Sequence, residues 1–268
     1  MIRLLTKSDR SAVTALLNSE PSFNLYMLGN IEKLGFDQDF CQFWGDFDAT
    51  ATGEGALRGV INRYMVGWTV YGRPDADWAA LAQVLDTHPL QADRLQDNPG
   101  GTPSLLPYLR RYRTTKLVIE EVMELSQPSF RPAAPPAGVA VRRATMDDLE
   151  PLVAFYANAD DMARTRAGVL RPLQDTRLWL AEEGGVILAT ALTNAETNQL
   201  AMIGGVYTQP AARGRGLSQA VCSALCQDLL GAGLHPVLYW GQPAAGAVYR
   251  KLGFQPTGKW RAVWLEPV

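Results

Sequence analysis

Apolar residues along this chain recur with two spacings, and the switches between them lay out a succession of strands and helices. A short apolar run at residues 2–5 predicts a strand. Thr6, followed three residues later by Asp9, has the form of a capping box and opens a helix carrying Val13, Leu16 and Leu17. The aromatic-rich stretch beyond Pro21 predicts a second helix ending near Gly35. Strands follow at 40–46, 57–63 and 64–71, the last two as a bent hairpin, and then a helix over 75–86 with Asp77 near its start. Residues 98–103 read as a loop from their Asn, Pro and Gly content, 105–111 as a short helix and 116–125 as a strand.

Between residues 127 and 138 the periodicity stops. Pro128, Pro132, Pro135 and Pro136 exclude a helix or a central strand, so this stretch reads as a semi-extended linker. The expected organisation is a first domain at 1–127, a linker at 128–138 and a second domain at 139–268. Beyond the linker the pattern restarts with a strand near Val141 and a helix over 147–158. A polar segment at 159–171, with Arg164, Arg166 and Arg171, reads as a solvated loop. Strands follow at 176–182 and 186–194, joined by Glu183-Gly184-Gly185, and a third at 200–208. Leu217, Val221, Leu225 and Leu229, four apart with Ala220 and Ala224 between them, predict a helix at 217–232. A short strand at 236–240, a helix at 243–252 and a closing strand at 257–265 complete the chain.

The two halves echo each other. Arg3, Thr6 and Asp9 return as Arg142, Thr145 and Asp148 at an offset of 139. Val70-Tyr71 with Pro74 returns as Val206-Tyr207 with Pro210 at an offset of 136, and Pro103 and Arg110 as Pro243 and Arg250 at 140. Their matching order and near-constant offset indicate a duplicated fold.

Composition narrows the function classes. The 268 residues are 47% hydrophobic and 19% charged, as in ordinary globular domains. A net charge of −2 argues against nucleic-acid binding through a broad basic surface. Three cysteines and two histidines, His88 and His235, do not suggest a disulfide framework, a metal site or a Ser-His-Asp triad. Cys222 and Cys226 read as small buried side chains of one helix. No charged-then-apolar leader and no apolar run near membrane-spanning length is present, so a cytoplasmic protein without membrane association is expected.

The chemistry concentrates at Ile203–Ala224. A β-branched run through Val206, Tyr207 and Thr208 stops at Pro210, and a basic glycine loop, Arg213-Gly214-Arg215-Gly216, precedes the helix at Leu217. Unpaired N–H groups at a helix start, next to two arginines, favour an anion. Gly214 to Gln219 therefore reads as a phosphate or pyrophosphate cradle. The Lys-Ser/Thr pair of a P-loop is missing, and Gln219 stands where the dinucleotide fingerprint needs its third glycine.

Arg213-Gly214-Arg215-Gly216-Leu217-Ser218 resembles motif A of the GCN5-related N-acetyltransferases (GNAT), Arg/Gln-x-x-Gly-x-Gly/Ala, with Ser218 departing at the last position. Residues 242–254, QPAAGAVYRKLGF, are similar to the same family's late motif through Ala245, Tyr249, Lys251, Leu252, Gly253 and Phe254, with Gln242 where Asn is usual. The resemblance implies an α/β (α+β) fold of two tandem GNAT-like domains, each a mixed, mostly antiparallel twisted sheet flanked by helices. It implies acetyl-CoA as co-substrate, without a metal, its pyrophosphate on the backbone of Gly214–Gln219 and its pantetheine arm alongside Val206–Thr208. Gln242 keeps the amide of Asn on a longer arm. The first half has Asp75-Ala76-Asp77-Trp78 where the loop should be, with two carboxylates and no glycine, and Leu109 at the tyrosine position. It reads as a degenerate copy.

Acyl transfer from a thioester to an amine needs a donor for the carbonyl oxygen and a proton for the leaving thiolate. The resemblance makes Tyr249 the general acid, and aromatic packing beside Leu252 and Phe254 is the plainer alternative. A backbone N–H near Val206 or Tyr207 would polarise the carbonyl. Glu182, Glu183 and Glu196 sit at strand ends, and none is singled out as a base. The region of Arg164, Arg166 and Arg171 borders the acceptor site in this family, so contact with an acidic acceptor or a CoA phosphate is an alternative to the solvated loop. The acceptor expected is a small-molecule amine or amino acid. A non-catalytic acyl-CoA binder and a protein lysine or N-terminal acetyltransferase remain open, as does the oligomeric state.

Overall fold

The computed structural model describes residues 1–48, 55–97, 100–157, 159 and 162–268. The chain forms two compact units. One is Met1–Glu121 together with Gly258–Val268, and the other is Val122–Thr257.

The first unit opens with β1 (Ile2–Leu4), a 3-10 turn, α1 (Arg10–Leu17) and α2 (Leu25–Lys33). The Thr6–Asp9 capping box forms, and Arg3 clamps the Asp9 carboxylate with two bonds of 2.6 and 2.8 Å. An antiparallel meander follows through β2 (Cys41–Phe47), β3 (Leu57–Tyr64) and β4 (Gly67–Gly72). Next come α3 (Trp78–Thr87), β5 (Arg94–Asp97), which pairs in parallel with β4, α4 (Gly101–Leu105) and β6 (Tyr112–Glu124).

The second unit repeats the plan. Its elements are β7 (Ala140–Arg143), α5 (Leu149–Ala157), α6 (Arg166–Asp175), β8 (Leu178–Glu183), β9 (Val186–Glu196) and β10 (Leu200–Thr208). After these come α7 (Leu217–Gly231), β11 (His235–Trp240), α8 (Pro243–Leu252) and the start of β12 (Gln255–Pro267). Strands β7 to β10 are antiparallel neighbours, and β10 and β11 are parallel. The Thr145–Asp148 capping box and an Arg142–Asp148 clamp at 2.7 and 2.8 Å reproduce the first unit's opening. Identical local bonding at the predicted offset is what a duplicated fold requires. One face of this sheet packs Ala189, Ala191, Ala201 and Ile203 against Leu217, Val221, Leu225 and Leu229 of α7. The other packs Leu178, Leu180, Leu192 and Tyr207 against Leu152, Phe155 and Tyr156 of α5 and Val169 of α6.

Several elements depart from the sequence reading. The closing strand expected at 257–265 falls from Gly258 onward in the first unit, where Arg261–Trp264 pair antiparallel with β5. Alternation along β12 puts Val263 and Leu265 into that unit's core beside Leu95 and Leu105. The predicted loop at 98–103 runs into α4 at Gly101, and Asn98 and Pro99 lie outside the described residues. The predicted loop at 159–171 contains the start of α6, where Thr165 caps the helix by accepting the Gly168 N–H at 3.1 Å. Asn158, the predicted end of α5, and Asp160 and Asp161 lie outside the described residues. The proline-rich stretch belongs by its contacts to the second unit, where Arg131 N–H bonds the Leu252 carbonyl at 2.9 Å and Ala133 N–H bonds Ser223 Oγ at 2.8 Å. Among the described residues no helix is long and apolar enough to cross a membrane.

Candidate active site

The site is organised by the way β10 leaves its neighbours. It pairs in parallel with β11 only from Leu200–His235 to Ile203–Leu238, yet β10 continues to Thr208 and β11 to Trp240. On its other edge the register with β9 shifts between Gly204 and Tyr207, which marks a β-bulge. Gly205 sits there at φ +55°, where a side chain would be strained. A Cβ would also stand 2.7 Å from Leu192 and 2.9 Å from Arg164 Nη2. The bulge is pinned from below, because the Gly205 carbonyl accepts from Tyr156 Oη at 2.9 Å, and the Thr190 hydroxyl lies 2.7 Å from the tyrosine oxygen. Tyr156 is fully buried, which raises its pKa to about 12 and keeps it a donor. Beyond the bulge, the Gln209 N–H bonds Leu188 on β9 at 2.9 Å. Strand alternation therefore turns the N–H groups of Val206 and Thr208 to the edge where pairing with β11 has ended.

The chain then enters the glycine loop. Gly214 and Gly216 have φ of +82° and +80°, and a Cβ on either would meet open space. Their need is conformational, and the backbone lies bare to solvent. Gly216 is the N-cap of α7, no side chain caps the helix, and the first helical bond is Ala220 N–H to the Gly216 carbonyl. The N–H groups of Leu217, Ser218 and Gln219 precede that bond, so they and the dipole end face outward. Arg213 is exposed, with Nε bonding the Thr208 carbonyl at 3.2 Å and its guanidinium 5.9 Å from the Tyr207 ring centre. Arg215 is clamped by Glu183 on the β8–β9 hairpin at 2.8 and 3.1 Å. The Thr208 hydroxyl is buried without a hydrogen-bond partner.

Tyr249 lies on α8, 7% exposed, in the same apolar cluster as Ile203 and Leu238 and with its ring 5.9 Å from Phe254. Burial, with the Cys222 and Cys226 thiols nearby, pushes its pKa well above the ordinary tyrosine value. The hydroxyl stays protonated at neutral pH, and it is a weaker acid than an exposed tyrosine. Gln242, exposed, is the N-cap of α8, its carbonyl accepting from Ala245 N–H at 3.0 Å, and its side chain makes no capping bond. Ala245 packs on the same core. Gly253 ends α8 at φ +98°, and a Cβ there would lie 1.8 Å from the Ser129 carbonyl oxygen, so the late motif's glycine makes room for the proline-rich strap.

The structure thus brings Val206–Thr208 and Arg213–Gln219 into one continuous strand, loop and helix start, and it seats Tyr249 and Ala245 on the core behind them. Val206 packs on the α7 side, whereas the Tyr207 side chain turns to the opposite face against Phe155 at 5.4 Å. Sequence reasoning missed Tyr156, Thr190 and Asn194. The Gly204-Gly205 pair inside a strand was the available signal for a bulge. All three strand-end glutamates are engaged: Glu182 with Arg142 at 3.0 Å, Glu183 with Arg215 and Glu196 with Arg177. In the first unit, carboxylates already serve the corresponding helix start. Asp77 caps α3 by accepting from Ala80 N–H at 2.9 Å, and buried Asp46 accepts the Asp77 N–H at 2.8 Å.

Two tandem units of one mixed, mostly antiparallel α/β fold, of which the second carries an open glycine loop beside a splayed strand pair, define an acetyltransferase-type architecture. The chain belongs to the acetyltransferase (GNAT) family, whose model matches residues 120–254, close to the limits of the second unit. It is similar over its whole length to a GCN5-related N-acetyltransferase from Sphaerobacter thermophilus, at 20% identity and a TM-score of 0.68 over 95% of that chain. A tandem GNAT protein of the clavulanic acid biosynthesis pathway aligns over 100% of this chain and 98% of its own, with 14% identity and a TM-score of 0.63. A Drosophila protein aligns over 99% of this chain and 98% of its own, with 13% identity and a TM-score of 0.71. No curated protein matches the chain in sequence.

Proposed function

We propose that this protein is an acetyl-CoA-dependent N-acetyltransferase acting on the primary amine of a small molecule or amino acid, with its site in the second unit. The observation that carries the reading is the parting of β10 from β11 immediately before an uncapped helix start with two positive-φ glycines. The residues present fit the cofactor. The N–H groups between Gly214 and Gln219, with Arg213 and Arg215, suit a pyrophosphate, each such bond to an anion being worth about 1.5–3 kcal/mol. The free edge of Val206–Thr208 suits an amide-bearing pantetheine arm, flanked by Gln242 and Ala245 at the start of α8. Acetyl-CoA supplies an activated acyl carbonyl for attack by the amine. Val206 N–H is assigned to donate to the carbonyl oxygen, and the Tyr249 hydroxyl to protonate the departing sulfur. The first unit is proposed as a copy that does not bind the cofactor, because Asp77 and Asp46 occupy the donors at its helix start.

Thermal melting with and without acetyl-CoA tests this. Ligand at about 100 times its dissociation constant adds roughly 2.7 kcal/mol, a shift of several degrees. The shift is expected to vanish in Arg213→Glu. It should persist in Tyr249→Phe, while amine-dependent thiol release falls by about 10²–10⁴-fold. An equal shift in Arg213→Glu, or none in the wild type, would overturn the reading.

A further inference from the structure

Among the described residues of the second unit, Arg164 is the half-buried arginine without a carboxylate partner; Arg131, Arg171, Arg213 and Arg250 also lack one but lie exposed. Arg142 is paired with Asp148 and Glu182, Arg143 with Asp228, Arg166 with Glu150, Arg177 with Glu196 and Asp228, and Arg215 with Glu183. Arg164 is half-buried at the bulge of β10, and among the described residues no carboxylate lies within ion-pair distance of it. Its Nη2 donates to the neutral Asn194 Oδ1 at 3.2 Å, its guanidinium lies 5.5 Å from the Tyr156 ring centre, and its Nε is buried with no acceptor. The position is built. Gly205 is the residue that admits Nη2, and Gly204 is closed in by Asn194, whose Nδ2 would stand 2.0 Å from a Cβ there. Tyr156 both supports the guanidinium face and holds the Gly205 carbonyl.

A guanidinium drawn partly out of water without a counter-ion is destabilising unless a ligand supplies one, and its planar fork matches a carboxylate. Resting on the acetyltransferase reading, we propose that Arg164 anchors a carboxylate of the acceptor, so that the site acetylates amino acids or other amino-carboxylates in preference to simple amines. The placement fits the chemistry. Arg164 borders Gly205, and the next residue, Val206, bears the N–H assigned to the acyl carbonyl. An acceptor held by its carboxylate at Arg164 brings a nearby amine to that carbonyl, and in an α-amino acid both groups share one carbon. The cofactor's phosphates have their own donors at the loop beyond Thr208, which leaves Arg164 to the acceptor. In the transfer, the C–N bond forms as the C–S bond breaks, the sulfur takes one proton and the amine loses one. Arg164 remains charged throughout.

The test uses the full-length protein and matched pairs: glycine with methylamine, phenylalanine with phenethylamine, and lysine with cadaverine. Thiol release from acetyl-CoA is measured for the wild type, Arg164→Lys and Arg164→Gln. The carboxylate-bearing member of at least one pair should be favoured by tenfold or more in kcat/KM. Arg164→Gln should raise its KM about 10–100-fold with a much smaller change in kcat, leaving the amine partner unaffected, and Arg164→Lys should fall between. The melting shift with acetyl-CoA should be the same in all three proteins. Equal use of both members of every pair, or equal losses for both in Arg164→Gln, overturns the proposal. So does a normal acetyl-CoA shift with neither turnover nor saturation-transfer NMR binding of any amino acid. Absence of the acetyl-CoA shift in the wild type instead removes the acetyltransferase reading on which the proposal stands.

Discussion

One buried carboxylate in the first unit makes that unit's stability depend on pH. Asp97 ends β5 with no exposed surface. One oxygen accepts the Thr102 N–H, and the other has no partner. Desolvation outweighs these bonds and the charge of its cross-strand neighbour Arg261, raising its pKa to about 7. The sign of the linkage follows from the raised value. The folded state holds a proton that the unfolded state releases near pH 4, so the protonated acid's advantage is complete below that pH. It is lost as pH rises to about 7. Asp97→Asn should therefore melt at a higher temperature than the wild type at pH 8, by several degrees, with the gap closing toward pH 5. A gap that stays constant with pH would show that Asp97 is ionised in the fold at all these pH values.

At the scale of elements, the bulge in β10 links one strand's irregularity to the proposed chemistry. Its carbonyl accepts from the Tyr156 hydroxyl, which in turn accepts from Thr190 Oγ1 at 2.7 Å, so removing the tyrosine hydroxyl loosens the turn of backbone before Val206. Tyr156→Phe should cost about 1–3 kcal/mol in stability, because the Gly205 carbonyl loses that bond in a buried site. It should also lower kcat more than it weakens acetyl-CoA binding, as read by melting shift and thiol release side by side. An unchanged kcat would mean that the glycines alone fix the bulge. This element also marks the limit of what the sequence conveys. The strand, loop and helix from Leu200 to Gly231, and α8 with its Gly253 stop, were legible because apolar period, glycine and proline all agreed there. The splaying was not, since it depends on where β11 stops pairing, and pairing partners leave no local trace. Strand β5 escaped notice because Leu95 is its only apolar residue. Helix α6 was masked by polar side chains and by Pro172, although Thr165 was a readable cap.

At the scale of the whole molecule, the duplication was visible in Arg3, Thr6 and Asp9 and their counterparts, but the assignment of the last strand was not. Alternation shows that Val263 and Leu265 share a face without saying which sheet receives them. The structure gives them to the first unit, where β12 pairs with β5 and supplies apolar side chains to the core around Trp68, Leu81 and Leu95. The chain's C-terminal residues therefore stabilise the copy that begins at its N-terminus. The first unit cannot complete its core until the second has been synthesised. Leu265→Ala removes a side chain that is 5% exposed, and it should cost about 2–5 kcal/mol. Hydrogen exchange localises the loss: amides of β4, β5 and α3 should exchange faster, while those of α7 and β11, much nearer in sequence, should keep their protection. Because the proposed cofactor loop lies in the second unit, the acetyl-CoA melting shift of that unit should survive the substitution. Faster exchange in α7 and β11 instead would return the last strand to the second unit and restore the simple division of the chain at its proline-rich segment.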